Sequence, residues 1–121
     1  MGSAREAALI TLTACERQGA WSDGYLKKAL REQELDKRDA ALASRLCYGV
    51  LQNKLLLDWQ LARFCNRKLE ALDAAVLCGL RSAVYQILFL DKIPPSAAVN
   101  EAVELTKKYC RNPRAAGMVN G

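Results

Sequence analysis

The sequence contains no histidine among its 121 residues. Histidine is the side chain used most often as a general acid or base, and it completes serine triads and many metal sites. A glycine-rich phosphate loop is missing as well. These kinds of catalysis are therefore excluded, and we expect no catalytic residue, no bound metal and no cofactor in this chain.

The cysteines offer little as a metal site. Their number is odd, no two form a C-x-x-C pair, and there is no histidine to join them. A reduced cysteine on an apolar helix face packs as a small hydrophobic residue. We therefore interpret all five as structural free thiols in a reducing compartment: Cys15, Cys47, Cys65, Cys78 and Cys110.

Two acids, Glu101 and Glu104, have the spacing of neighbours on one helix face. Paired carboxylates of this kind could act in acid–base catalysis. Lys107 and Lys108 follow within one turn, so we predict i,i+3 and i,i+4 ion pairs instead.

Long hydrophobic runs are also missing. The longest nearly apolar stretch, residues 74–90, is interrupted by Arg81, Ser82 and Gln86, which predicts a buried central helix rather than a membrane span. Its apolar positions recur at spacings of three and four, at Leu77, Leu80, Val84, Ile87 and Leu88. The start of the chain has no signal-peptide pattern, so we expect a cytoplasmic protein with no membrane partner.

Nothing in the sequence alternates like a strand, whereas helix signals recur. Ser3-x-x-Glu6 reads as a capping box that opens a helix, and Gly19 ends it. Asp36 is placed to cap a third helix, in which Gly49 indicates close packing or a bend. Pro95 suits the first turn of a late helix, and a last turn is predicted over residues 114–119. The fold class is therefore an all-α bundle of six to seven helices in a single domain, residues 1–121.

The charge is moderately basic, with 18 Lys and Arg against 13 Asp and Glu and a net charge of +5. Most of the excess lies in the first half of the chain. A field of this sign suits a polyanionic partner, but an ordinary basic domain accounts for it equally well.

Four segments, in this order and over nearly the whole chain, resemble the motifs of NusB-type RNA-binding domains. They are residues 4–8 (AREAA), residues 49–51 with Leu57-Asp58, residues 80–85 (LRSAVY) with Gln86 where the family usually has an acid, and Pro94 with residues 99–105 (VNEAVEL) followed by 119–121 (VNG). Each segment is weak alone, and the set is specific. The resemblance implies a compact all-α fold and an RNA partner.

Two branches of this family fit. One consists of the transcription antitermination factors, which bind boxA RNA together with a ribosomal protein. The other is the N-terminal domain of ribosomal RNA cytosine-5 methyltransferases, and residues 93–99 and 114–120 resemble it more. The second branch implies a truncated N-terminal fragment that helps to position small-subunit ribosomal RNA. Its partners would then be ribosomal RNA and a C-terminal methyltransferase domain of the same protein, which would bind S-adenosylmethionine (SAM).

The sequence also allows a homodimer. A third hypothesis for the function is a helical protein-interaction module without RNA affinity. For RNA binding, the resemblance and the charge together suggest contacts to phosphates by six cations and base stacking on two aromatic rings: Arg5, Lys27, Lys28, Arg31, Lys37 and Arg38, with Trp21 and Tyr25. For Arg5 an ion pair with a neighbouring acid is the alternative. We predict a structural role for Asn100. We also predict that Arg81 and Glu101 form a buried ion pair.

Overall fold

The computed structural model describes residues 3–64, 68–90 and 93–110. These residues form six α-helices and one short 3₁₀ helix, with no strand in the described ranges. The predicted all-α class is therefore confirmed, while the turn predicted over 114–119 lies outside the described residues. The helices are α1 (Ala4–Gln18), α2 (Asp23–Glu32), α3 (Lys37–Gln52), α4 (Lys54–Phe64), α5 (Ala74–Phe89) and α6 (Pro95–Tyr109), and the 3₁₀ helix is Leu69–Ala71.

Local signals set the helix ends as predicted. The Ser3 hydroxyl accepts a hydrogen bond from the Glu6 backbone N–H at 3.0 Å, and the Asp36 carboxylate accepts one from Asp39 at 2.8 Å. Gly19 ends α1 with a φ of 80°, a left-handed conformation that favours glycine. Pro95 is the first residue of α6.

Helix α5 is the centre of the bundle and packs against α1, α3, α4 and α6. Val76, Cys78 and Tyr85 on this helix are almost fully buried, which confirms the predicted central helix. The predicted apolar stripe is wrong at its end, because Ile87 and Leu88 are 44% and 45% exposed. Leu80 and Val84 on the same stripe are only half-buried, whereas Leu90 after the helix is buried again, so it is this face of α5 that is partly uncovered. Among the described helices, none is both long enough and apolar enough to cross a membrane.

The buried cysteines behave as the sequence predicts. Cys15, Cys47 and Cys78 are buried free thiols, and Cys110 is half-buried. Burial raises the pKa of Cys47 and of Cys78 to about 12. Both thiols are therefore neutral near pH 7 and pack as small apolar groups. Cys65 lies outside the described residues.

Small residues hold one end of the bundle together. Ala4 and Ala7 near the start of α1 pack against Ala29 near the end of α2 and Ala43 in the first half of α3. The start of α1, the end of α2 and the start of α3 therefore lie side by side. This arrangement positions the charged residues described next.

Candidate RNA-binding surface

Arg5 is tied into a polar network where α1, α5 and α6 meet. Its Nε donates to Gln86 Oε1 at 2.6 Å, and its Nη1 donates to Glu101 Oε2 at the same distance. The Ser3 hydroxyl donates to the other Glu101 oxygen at 2.8 Å. The ion pair that was the alternative for Arg5 is thus present. The Arg5 side chain is 21% exposed, and its contact with RNA stays a prediction.

The predicted ion pair between Arg81 and Glu101 is wrong. Arg81 donates from Nε and Nη2 to the two carboxylate oxygens of Asp58 on α4, at 2.7 and 2.9 Å, and its Nη1 lies 3.3 Å from Glu16. Gln86 rather than Arg81 faces the Arg5 network. Arg81 and Gln86 are five positions apart in the sequence, so their side chains point about 140° apart around the axis of α5.

The expectation that Arg81 carries a buried, paired charge does hold, since only 5% of it is exposed. Burial lowers the pKa of Arg81, but the hydrogen bonds and negative charge of Asp58, with Glu16, raise it above its usual value overall. The residue therefore stays charged and links three helices. Asn100 is exposed on α6, so a buried structural role for it is not observed.

The ion pairs predicted for α6 are partly present. Lys107 lies 3.9 Å from Glu104, the expected i,i+3 pair. Lys108 instead reaches across to Glu6 on α1 at 3.1 Å, and Glu101 is occupied by Arg5. Helix α6 crosses the start of α1 closely enough for these contacts between helices to replace the local ones.

Four exposed cations lie on α2 and α3, the two helices that meet α1 at the alanines described above. We call them the basic surface: Arg31 at the end of α2, with Lys37, Arg38 and Arg45 on α3. Lys27 and Lys28 lie about one turn back along α2, where Lys28 approaches Glu32 at 3.9 Å. Three of the six predicted phosphate-binding residues belong to this surface, Lys27 and Lys28 lie within about one turn of Arg31 on α2, and Arg5 belongs to the network described above.

The basic surface is not uniformly positive. Residues 23–39 contain five acidic and five basic side chains. One of the acids, Asp36, is engaged in capping α3. Such a surface would contact only a few phosphates, each through one cation. Because the salt dependence of binding scales with the number of phosphate contacts, we expect it to be moderate.

The two predicted stacking residues lie around the start of α2. The Trp21 indole N–H donates to Asp23 at 2.8 Å, its ring lies 5.4 Å from that of Tyr48, and the Tyr25 hydroxyl donates to Gln18 at 3.0 Å. The hydrogen bond from Tyr48 lowers the pKa of the Asp23 carboxyl most, and the hydrogen bond from Trp21 lowers it further. We call Trp21, Tyr25, Tyr48 and Asp23 the aromatic cluster.

Distance along α1 separates the aromatic cluster from Arg5. Tyr25 is bound to Gln18, thirteen residues after Arg5, which is about 20 Å along a helix. Arg5 and the two predicted stacking residues therefore lie at opposite ends of α1. The cause is the connection between α1 and α2, which places Trp21 beyond the end of α1.

Sequence reasoning missed two residues in this region, Arg45 within the basic surface and Phe89 next to it. Together with Arg38 they line a groove of about 490 Å³ between α3 and the end of α5. The seven-residue spacing of Arg38 and Arg45 puts them on one helix face and was visible in the sequence. Nothing in the sequence indicated that Phe89 is exposed, because it continues an apolar run.

A second exposed surface is apolar. Leu55 and Trp59 on α4 are 89% and 57% exposed, and the Arg63 guanidinium lies 4.9 Å from the centre of the Trp59 ring. Such a face is typical of contacts with proteins. In the described part of the chain, no three His, Cys, Asp or Glu residues are grouped closely enough to hold a metal ion.

The fold defines a helical-bundle domain, and comparison with known proteins gives its family. A sequence model of the NusB family matches residues 2–121, and the chain belongs to this family. It is 36% identical over 120 residues to the transcription antitermination protein NusB of Ruminiclostridium cellulolyticum, a match that covers 98% of this chain and 82% of that protein.

A probable ribosomal RNA small subunit methyltransferase B of Bacillus subtilis is 40% identical over 105 residues, or 87% of this chain. The match spans only 23% of the length of that methyltransferase.

Solved structures agree on the fold. NusB of T. maritima superposes with a TM-score of 0.86 at 28% identity, covering 98% of this chain and 83% of the other. A structure of antitermination factors NusB and NusE in complex with dsRNA superposes with a TM-score of 0.84 at 23% identity. The match covers 98% of this chain and 88% of the other. At that identity the second likeness concerns the fold alone.

Proposed function

We propose that this NusB-family domain binds ribosomal RNA through its basic surface. The observation that carries the proposal is a set of four exposed cations on two adjacent helices, Arg31 on α2 with Lys37, Arg38 and Arg45 on α3. Exposed lysine and arginine side chains are the usual partners of phosphates. A relative of the same fold has been solved in complex with dsRNA, which supports the assignment.

We further propose that the domain serves a SAM-dependent ribosomal RNA cytosine-5 methyltransferase in the cytoplasm. The support is the 40% identity with the methyltransferase of B. subtilis. The domain would dock on RNA and help to position it, while methyl transfer from SAM would belong to a catalytic domain outside these residues. None of the site residues described above is assigned a catalytic role.

A second candidate is transcription antitermination. One observation favours it: the chain covers 82% of the NusB protein of R. cellulolyticum but 23% of the methyltransferase. The two candidates predict different RNA preferences. Competition between a small-subunit ribosomal RNA fragment and boxA RNA for the same protein separates them, since the stronger competitor identifies the branch.

The salt dependence of RNA affinity tests the proposed binding. With a short fluorescein-labelled single-stranded RNA we expect binding near 50 mM salt that weakens as salt rises, with a slope of roughly −0.7 per phosphate contact. The double variant Lys37→Gln with Arg38→Gln should bind about tenfold more weakly near 50 mM salt and lose about 1.4 from the slope. Fluorescence anisotropy measures both quantities.

The matched control removes two cations from another part of the molecule. Arg17 is in the last turn of α1, and Lys68 follows α4. The double variant Arg17→Gln with Lys68→Gln has the same net charge as the first and should bind RNA like the unmodified protein. Equal losses in both double variants would mean that only net charge matters. If the unmodified protein fails to bind at low salt, the protein-interaction reading is favoured.

A further inference from the structure

The groove beside the basic surface has the size of a small-ligand site. Its volume of about 490 Å³ lies within the usual range of roughly 300 to 1,000 Å³. Helix α3 supplies Arg38, Leu42 and Arg45 to it, and the end of α5 supplies Phe89 and Leu90. The groove therefore combines an apolar floor with two cationic side chains.

The Phe89 ring is held in place from one side. Tyr85, one turn earlier, stacks on it with ring centres 5.0 Å apart and planes 24° apart. Tyr85 is itself almost fully buried and is fixed against Gly49 of α3. Phe89 remains 39% exposed and lines the groove. An aromatic surface is thus available for stacking without the loss of side-chain entropy that a free ring would suffer.

The charges in the groove favour an anionic ligand. Arg38 and Arg45 lie about 10 Å apart along one face of α3, and Arg38 is in its first turn, where the helix dipole attracts anions. Asp39 is the single acid among the described residues that line the groove. An aromatic ring beside two guanidinium groups matches a nucleotide, whose base can stack while its phosphates pair with arginine.

We infer that this groove binds one unpaired nucleotide of an RNA strand, with its base on Phe89 and its flanking phosphates on Arg38 and Arg45. The inference rests on the proposed function and extends it from a charged surface to a defined contact. Sequence-tolerant stacking of this kind recognises single-stranded RNA and leaves a fully paired duplex without a base to insert.

Variants of Phe89 test the stacking contact. Phe89→Ala should weaken binding of single-stranded RNA about tenfold without changing the salt slope, because it removes a stacking surface and no charge. Phe89→Tyr should bind within about twofold of the unmodified protein because it keeps the ring. Arg45→Gln should instead reduce the slope by about 0.7. Leu88→Ala is the matched control, since Leu88 is equally exposed but does not line the groove.

Each outcome bears on a different claim. If the unmodified protein binds RNA and folded Phe89→Ala binds it equally well, the groove assignment is overturned and the proposed function stands. If the unmodified protein does not bind RNA, the proposed function fails first. Should Phe89→Ala not fold, photo-crosslinking of 4-thiouridine RNA to the unmodified protein decides. A crosslink on Phe89, Arg38 or Arg45 supports the assignment, and crosslinks confined to other surfaces contradict it.

Discussion

Gly49→Ala is expected to destabilise the protein by about 3 kcal/mol, because a methyl group at this position overlaps the Tyr85 ring. Gly49 lies in the last turn of α3, where alanine would otherwise favour the helix by up to about 1 kcal/mol. Tyr85 cannot move aside easily, since it is 6% exposed and stacked on Phe89. Unfolding in urea, followed by circular dichroism, measures the loss.

Gly24→Ala provides the control for this prediction. Gly24 is in the first turn of α2, and a Cβ there meets only the Ser22 hydroxyl at an ordinary 3.4 Å. That variant should be as stable as the unmodified protein or slightly more stable. Adding Tyr85→Leu to Gly49→Ala should recover part of the loss by removing the ring. Full stability of Gly49→Ala alone would show that α3 and α5 are not packed as described.

Arg81→Met is expected to cost about 3 kcal/mol of unfolding free energy. The change leaves Asp58 and Glu16 without their shared partner, and breaking a buried ion pair from one side costs about 3 to 5 kcal/mol. The lower end of that range applies because the two acids are 26% and 30% exposed. The same urea titration measures the effect.

Double variants identify the partner of Arg81. Combining Arg81→Met with Asp58→Leu should recover much of the loss, since no unpaired charge remains at that contact. Glu101→Gln should instead add to Arg81→Met within about 0.5 kcal/mol, because the two side chains belong to separate networks. Strong coupling to Glu101 and none to Asp58 would reverse the assignment made here.

The elements of the fold that could be predicted from sequence are those set by neighbouring residues. The Ser3 cap, the Asp36 cap and the left-handed Gly19 each depend on contacts within a few positions. The close packing at Gly49 was also indicated, because a glycine inside a helical pattern needs a reason. The residue that packs on it, Tyr85, could not be named.

The features that were not predicted depend on contacts distant in the sequence. Arg81 meets Glu16 across 65 positions, and its choice of Asp58 over Glu101 follows from the rotation of α5. Trp21 is held in the aromatic cluster by Tyr48, on another helix. Helical periodicity gives the inward face of one helix but does not say where a neighbouring helix stops. For that reason the sequence alone predicts Phe89 as a continuation of the buried helix.

The prediction of RNA binding depends more on the resemblance to a known family than on the chemistry of individual residues. The net charge of +5 was compatible with RNA but equally with an ordinary basic domain. The motifs from Ala4 to Leu105 indicated the family, which the family comparison confirms. The structure adds a location, since it places four exposed cations on α2 and α3.

The location of RNA contacts on the intact chain tests the central claim most directly. An isotope-labelled sample titrated with single-stranded RNA reports, by the shift of each backbone amide signal, which residues meet it. We predict that the largest shifts occur around Arg31, Lys37, Arg38, Arg45 and Phe89. Shifts concentrated instead at Leu55 and Trp59, with none around Arg38 and Phe89, would contradict the account.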